Sequence, residues 1–152
     1  MSDRGLLAVQ LAATLVMVGV IWFVQLVHYP QMVFVDRVQF PRYSHVNQFG
    51  TSLVVGVPML VEALSAAAIM VWYPARLTSP ALLIATLLLI AIWVSTATLQ
   101  MPLHRALLEG FDEPTVRRLV YTNWLRTICW TARAGLLSLL WFAELNQSPT
   151  TG

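Results

Sequence analysis

The chain has 152 residues, of which 58% are hydrophobic and 11% are charged, and its formal net charge at pH 7 is +2. Soluble domains carry roughly 25% charged residues, so the composition excludes an ordinary soluble domain and indicates an integral membrane protein. The net charge is too small and too dispersed for a nucleic-acid-binding protein. A single cysteine excludes a disulfide within the chain.

Four apolar segments are long enough to cross a bilayer as helices, which takes about 20 residues each. They are predicted at residues 6–29, 49–73, 81–101 and 119–143. Pro30 is expected to end the first helix, because proline lacks an amide hydrogen and clashes with the preceding turn. The sequence therefore predicts an all-α fold, a single four-helix bundle embedded in the lipid bilayer.

The segments outside these helices differ in character. Residues 31–48 mix polar side chains with scattered apolar ones, which indicates a segment lying at the membrane interface. Residues 74–80 form a short turn, so the second and third helices are expected to be antiparallel neighbours. The polar tail, residues 146–152, is predicted to be disordered.

Arginine is unevenly distributed between the two sides of the predicted bundle. The connectors after the first and third helices carry more of it than the opposite side does: Arg37, Arg42, Arg105, Arg117 and Arg118 against Arg4 and Arg76. Arginine-rich connectors stay in the cytoplasm, so the protein is predicted to be multi-pass, with both of these connectors cytoplasmic and both termini outside. Tyr29 and Trp124 suit the aromatic belt at that interface.

Polar side chains recur at one end of all four predicted helices. They close the first and third helices, precede the second and open the fourth: Gln25, His28, His45, Gln100, His104, Asn123 and Arg126. Such convergence predicts a polar pocket near one membrane face. Polar residues at helix ends also commonly contact lipid head groups and water, and this alternative stays open.

The fourth helix carries charge into the apolar part of the bundle. Asn123, Arg126 and Arg133 are spaced three and seven residues apart, so they share one helix face. A charge near the bilayer centre costs at least about 2.5–3.5 kcal/mol, which predicts that this face points inward. Glu62 lies about twelve residues, or roughly 18 Å, into the second helix, at a depth similar to that of Arg133. An ion pair between them is predicted, either fixing helix register or acting as a proton acceptor or substrate anchor.

Cofactor binding stays unassigned at this stage. Three histidines suit zinc, copper or iron, but their spacing matches no metal-binding motif, so no metal site is predicted. His28 and His104 suit haem ligation between the first and third helices if both rings point inward at equal height. The sequence does not decide between these possibilities.

The first and third helices end alike, with Gln25 and His28 in one and Gln100 and His104 in the other. A duplicated two-helix unit would explain this likeness, and so would chance.

The second half of the chain has a recognisable order of motifs. The third span ends QMPLHRAL, a short acidic turn follows, and the fourth helix contains NWLRTICWTAR. This order resembles the small four-span membrane proteins grouped with anthrone oxygenases, in which a polar-Pro-x-Asn/His segment ends the third span and tryptophan and arginine open the fourth. The matching residues are Gln100, Pro102, His104, Asn123, Trp124 and Arg126. The resemblance implies a four-span bundle that oxidises flat polyketide aromatics to quinones with molecular oxygen and without a metal.

The first functional hypothesis is an oxygenase-type oxidoreductase acting on a flat, apolar aromatic substrate that arrives from lipid. His104 or His28 would be the general base, and Asn123 with Arg126 would stabilise a developing oxyanion. The remaining candidates would line or anchor the pocket: Gln25, His45, Glu62, Gln100, Trp124 and Arg133.

Two other classes of function are compatible with a small membrane bundle. A non-catalytic subunit or assembly factor of a larger membrane complex, or a homo-oligomer, would present small residues such as the run Ser65–Ala68 to its partner. A transporter needs polar residues through the far half of the bundle. The first and third helices offer only Gln10, Thr14 and Thr86 there, so this class is the weakest.

Overall fold

The computed structural model describes residues 2–146. They form four long helices: α1 (Asp3–Phe34), α2 (Phe40–Trp72), α3 (Pro80–Glu109) and α4 (Glu113–Asn146). Each helix is long and apolar enough to cross a membrane. No strand occurs within residues 2–146. The predicted all-α membrane bundle is confirmed, and the chain is a multi-pass integral membrane protein. Apart from Asn146, which ends α4, the tail that was predicted to be disordered lies outside the described residues.

Helices α1 and α3 each contain one turn of π-helix, at Val24–His28 and at Thr96–Gln100. Pro30 and Pro102 each follow two residues after such a turn. A proline inside a helix removes a hydrogen-bond donor, and the wider π turn accommodates the resulting gap. The expectation that Pro30 ends the first helix is therefore wrong, because α1 continues to Phe34.

The connector between α1 and α2 is shorter than predicted, since the helices occupy most of residues 31–48. It spans residues 35–39, and the carboxylate of Asp36 accepts hydrogen bonds from the backbone amides of Val38 and Gln39 at 3.0 and 3.1 Å. Such a turn satisfies amides that have no helical partner at the start of α2. Asp112 does the same for α4, accepting from the amide of Thr115 at 3.0 Å.

Packing is uneven around the bundle. Helix α1 lies closely along α2 and α4, and α3 lies closely along α4. Helices α2 and α3 approach each other near their linker and beside Met101–Glu109, and have few contacts between these points. The outward surfaces carry exposed aliphatic side chains such as Leu15, Val54 and Leu87, as lipid contact requires.

A charged cluster closes the end of the bundle that lies opposite the π turns. The guanidinium of Arg76, in the linker between α2 and α3, binds the carboxylates of Asp3 and Glu144. The hydrogen bond to Asp3 is the largest cause that raises the pKa of Arg76 above its ordinary value; burial opposes it, and the contacts with Glu144 raise the pKa further. The cluster ties the start of α1, the linker and the end of α4 together.

Candidate functional site

A cavity of about 250 Å³ lies among the four helices beside the two π turns. Its inner part is largely apolar, with walls from Met17, Ile21, Val24, Met59 and the ring of Trp130. Its other part is polar, and its lining from α1, α3 and α4 includes His28, Tyr29, Gln100, His104 and Arg126, while α2 contributes polar side chains such as Gln48. The cavity reaches the surface between α2 and α3, where Ser52 and Met101 are exposed.

Three buried polar atoms beside this cavity have no hydrogen-bond partner among the described residues. They are Nε2 of His28, Oε1 of Gln100 and Nδ1 of His104. About 90% or more of buried polar groups in folded proteins are hydrogen-bonded, so three orphaned atoms around one cavity are unusual. They are available to a ligand or to water held in the cavity.

Tyr29 and His104 form a hydrogen-bonded pair at the polar end of the cavity. The hydroxyl of Tyr29 lies 2.9 Å from Nε2 of His104, and Tyr29 is only 3% exposed. Its assignment to the interfacial aromatic belt is therefore wrong. Which of the two groups donates depends on the tautomer of His104, so Nδ1 of this ring, one of the three unpartnered atoms, can donate to a ligand or accept from it.

Arg126 is held at the cavity by a chain of neutral side chains. Its Nε and Nη2 donate to Oδ1 of Asn123 at 3.0 and 2.7 Å, and its Nη1 donates to Thr96 at 3.2 Å. Asn123 in turn donates to Oε1 of Gln25 at 2.8 Å, and Gln25 donates to the carbonyl of Val120 at 3.2 Å. Asn123 and Gln25 therefore lie behind Arg126, whereas the sequence placed them on the pocket wall.

The predicted contact between Glu62 and Arg133 is present in the bundle core. Nε of Arg133 lies 3.3 Å from Oε1 of Glu62, and both side chains are 0% exposed. The carboxylate also accepts from Thr14 and, at 3.0 Å, from Nε1 of Trp130. Neither member of the ion pair lines the cavity, but Trp130 connects them to it, because its ring forms part of the cavity floor. The same ring lies 5.7 Å from Cζ of Arg126.

Two further residues that were predicted to line the pocket, besides Gln25 and Asn123, are placed outside it. His45 is exposed on α2, where Ser44 and Gln48 occupy the inward face. Trp124 is 39% exposed and packs edge to face against Trp22 at 5.8 Å. Adjacent helical residues point about 100° apart, so the residue next to an inward one turns away.

Tyr29 and Trp130 are among the cavity residues that were not predicted as site residues from the sequence. Tyrosine and tryptophan are common at membrane interfaces and in packed cores, so neither stood out. The signal for Tyr29 was its position between a histidine and a proline near the end of an apolar helix. The signal for Trp130 was its location three residues before Arg133, on the face that carries the charges.

Among residues 2–146, no group of three or more histidine, cysteine, aspartate or glutamate side chains is arranged to hold a metal ion. The site offers two imidazoles, one phenol, three amides and two guanidiniums, one of which, Arg105, lies at the exposed edge. Such groups can orient a polar ligand, move a proton and neutralise a negative charge.

No family model, no curated protein and no solved structure matches this chain. What the fold and the site define is a class: a multi-pass helical membrane protein with a partly polar internal cavity that opens between two of its helices.

Proposed function

We propose that this protein is an oxygenase-type oxidoreductase acting on a small, flat aromatic molecule that reaches the cavity from lipid. The observation that carries the proposal is the cavity itself, in which three buried polar atoms without partners and one arginine are assembled within an apolar bundle. A largely apolar pocket with a few convergent polar groups is the usual form of a small-molecule site. The resemblance to anthrone oxygenases names the reaction class.

The reaction oxidises a ring methylene group of the substrate to a carbonyl. His28 accepts a proton from the methylene carbon through Nε2, which is unpartnered and buried. Arg126 stabilises the negative charge that develops on the substrate oxygen, and His104 contacts the substrate through its unpartnered Nδ1. Molecular oxygen then supplies the carbonyl oxygen, and its second atom leaves as water with the two hydrogens of the methylene group. His28 is assigned as the base because its Nε2 has no partner among the described residues, whereas Nε2 of His104 is already bonded to Tyr29.

Substrate access from lipid is supported by the gap between α2 and α3. Ser52 and Met101 flank this gap, are exposed and also line the cavity. An apolar substrate dissolved in the bilayer would reach the cavity sideways, without crossing the polar connectors.

The test is oxygen uptake and quinone formation by the purified protein with an anthrone as substrate. We expect His28→Ala to lower turnover by about 10²- to 10⁴-fold, the usual contribution of a general base. His104→Ala should also abolish turnover. His28→Ala should keep the thermal stability of the wild type, because Nε2 of His28 has no partner among the described residues, whereas His104→Ala orphans the hydroxyl of Tyr29 and should lose about 1–3 kcal/mol. His45→Ala is the matched control, because it removes an exposed histidine outside the cavity.

Two results would contradict the proposal. Oxygen uptake by the wild type that does not exceed that of empty micelles would end the oxygenase assignment. Equal loss of activity and thermal stability in His104→Ala would make His104 a structural residue.

The proposal includes an orientation, with the arginine-rich connectors in the cytoplasm and both termini outside. Maleimide labelling of single cysteines introduced at Arg42 and Arg76, in a Cys129→Ser background, reports the side of the membrane on which each connector lies.

A subunit role in a larger complex is less well supported, since Ser65 and Ala66 are buried within this bundle.

A further inference from the structure

We infer that the cavity binds its ligand as an anion, with an acidic oxygen group at Arg126 and a flat apolar body against Trp130. The inference rests on the cavity of the proposed function, whose substrate class it narrows, but it does not require the oxidation. It identifies the ligand as a small aromatic carboxylate or phenolate.

The two buried arginines of α4 differ in whether a negative charge compensates theirs. Arg133 faces the carboxylate of Glu62 at 3.3 Å, so its charge is compensated within the bundle. Arg126 is 8% exposed, and its hydrogen bonds end on the neutral side chains of Asn123 and Thr96. Among the described residues, no acidic side chain forms an ion pair with it.

An uncompensated cation is costly in a low-dielectric interior. Buried charges are normally paired, and charged residues in membrane helices face partners or wet cavities. Arg126 lines the cavity, so the missing negative charge has a place to bind. Arg105 also lines the cavity, at its exposed edge, and adds positive potential there.

The surroundings of Arg126 define the rest of the ligand. Nδ1 of His104, which has no partner among the described residues, gives the ligand a second polar contact. The indole of Trp130 offers a flat apolar surface beside the guanidinium. A volume of about 250 Å³ is smaller than the roughly 300–1,000 Å³ of pockets for drug-sized ligands. One or two aromatic rings carrying a single acidic oxygen group therefore match the space and the charge.

The test compares two probes of nearly equal shape and different charge, 2-naphthoate and 2-naphthamide. Equilibrium dialysis against the full-length protein in uncharged detergent gives both affinities, after subtraction of partition into empty micelles. We expect the wild type to bind the naphthoate at least about tenfold more tightly, since a buried charge pair contributes strongly to affinity. Equal or reversed affinities for the wild type would overturn the inference without any variant.

Variants then test whether Arg126 is the cation that causes the preference for the naphthoate. Arg126→Gln should abolish the preference for the anion, whereas Arg126→Lys should retain part of it. Arg118→Gln removes an exposed cation from the same helix and should leave the preference unchanged. A preference that survives Arg126→Gln would refute the assignment. Anion binding without oxygen uptake would leave this inference standing and remove only the oxygenase reaction.

Discussion

Replacing Glu62 with glutamine tests whether the ion pair in the bundle core is a stabilising element. The change keeps the size of the side chain and removes its charge. The amide of glutamine can still accept from Trp130 and donate to Thr14, so these neighbours keep hydrogen-bond partners. Arg133 loses its counter-charge while remaining 0% exposed.

The expected loss follows from this uncompensated guanidinium. Breaking a buried ion pair by removing one partner costs about 3–5 kcal/mol, because the remaining charge stays out of water. Removing both charges together is much less costly, since the desolvation penalty disappears as well. Glu62→Gln combined with Arg133→Met should therefore recover at least half of the stability that Glu62→Gln loses.

The assay is reversible unfolding in mixed micelles with increasing SDS, followed by circular dichroism. Glu62→Gln should unfold at a clearly lower SDS fraction, and the double variant between it and the wild type. The reasoning is refuted if Glu62→Gln is as stable as the wild type, or if the double variant is no more stable than Glu62→Gln. A stable Glu62→Gln protein without turnover would instead assign the carboxylate a functional role.

Two further substitutions and one labelling experiment have defined outcomes. Trp130→Phe keeps a ring at the cavity floor but leaves the carboxylate of Glu62 without its indole donor, and it should cost about 1–3 kcal/mol in the same unfolding assay. Arg76→Gln should cost at most about 1 kcal/mol, because the pairs it breaks are partly exposed, and the cost should shrink in high salt. Since the pKa of Asp3 is lowered, first by its hydrogen bond with Arg76, the stability from this pair should be fully present above the ordinary pKa of aspartate and be lost as the pH falls through the lowered pKa. Cys129 is buried, so it should resist maleimide in mild detergent and react after SDS denaturation; rapid labelling of the folded protein would contradict its placement.

The features that hydrophobicity and depth determine were predictable from the sequence. The length of the apolar segments was enough to predict the four helices. The cost of exposing a charge to lipid was enough to predict that the charged face of α4 points inward. Counting 1.5 Å per residue along two helices was enough to predict that Glu62 and Arg133 meet. These predictions hold because they depend on distance along a helix axis and tolerate errors in rotation.

The rotational positions of side chains near the π turns were not predictable in this way. A π turn adds one residue to a helical turn, which rotates everything after it by about 100° relative to a regular helix. Tyr29 lies directly after the first such turn and points inward, although its position had indicated the membrane interface. The orientation of His45 was not predictable either. The polar residues before residue 49 had indicated a connector, although α2 already begins at Phe40.

The first and second halves of the chain share several features at one sequence spacing. Two of these features, the π turns, lie beside the cavity. One sequence offset relates the π turn Val24–His28 to Thr96–Gln100, Pro30 to Pro102 and Thr14 to Thr86. This offset matches His28 with Gln100, whereas the similar helix endings had suggested a match with His104. His28 and Gln100 each have one unpartnered polar atom beside the cavity. A duplicated two-helix unit would account for this offset, and so would chance. The offset makes the pair α1 and α4 equivalent to the pair α3 and α2, yet only the first pair packs closely. The cavity opens beside the more loosely packed pair, so its access to lipid follows from this difference between the two halves.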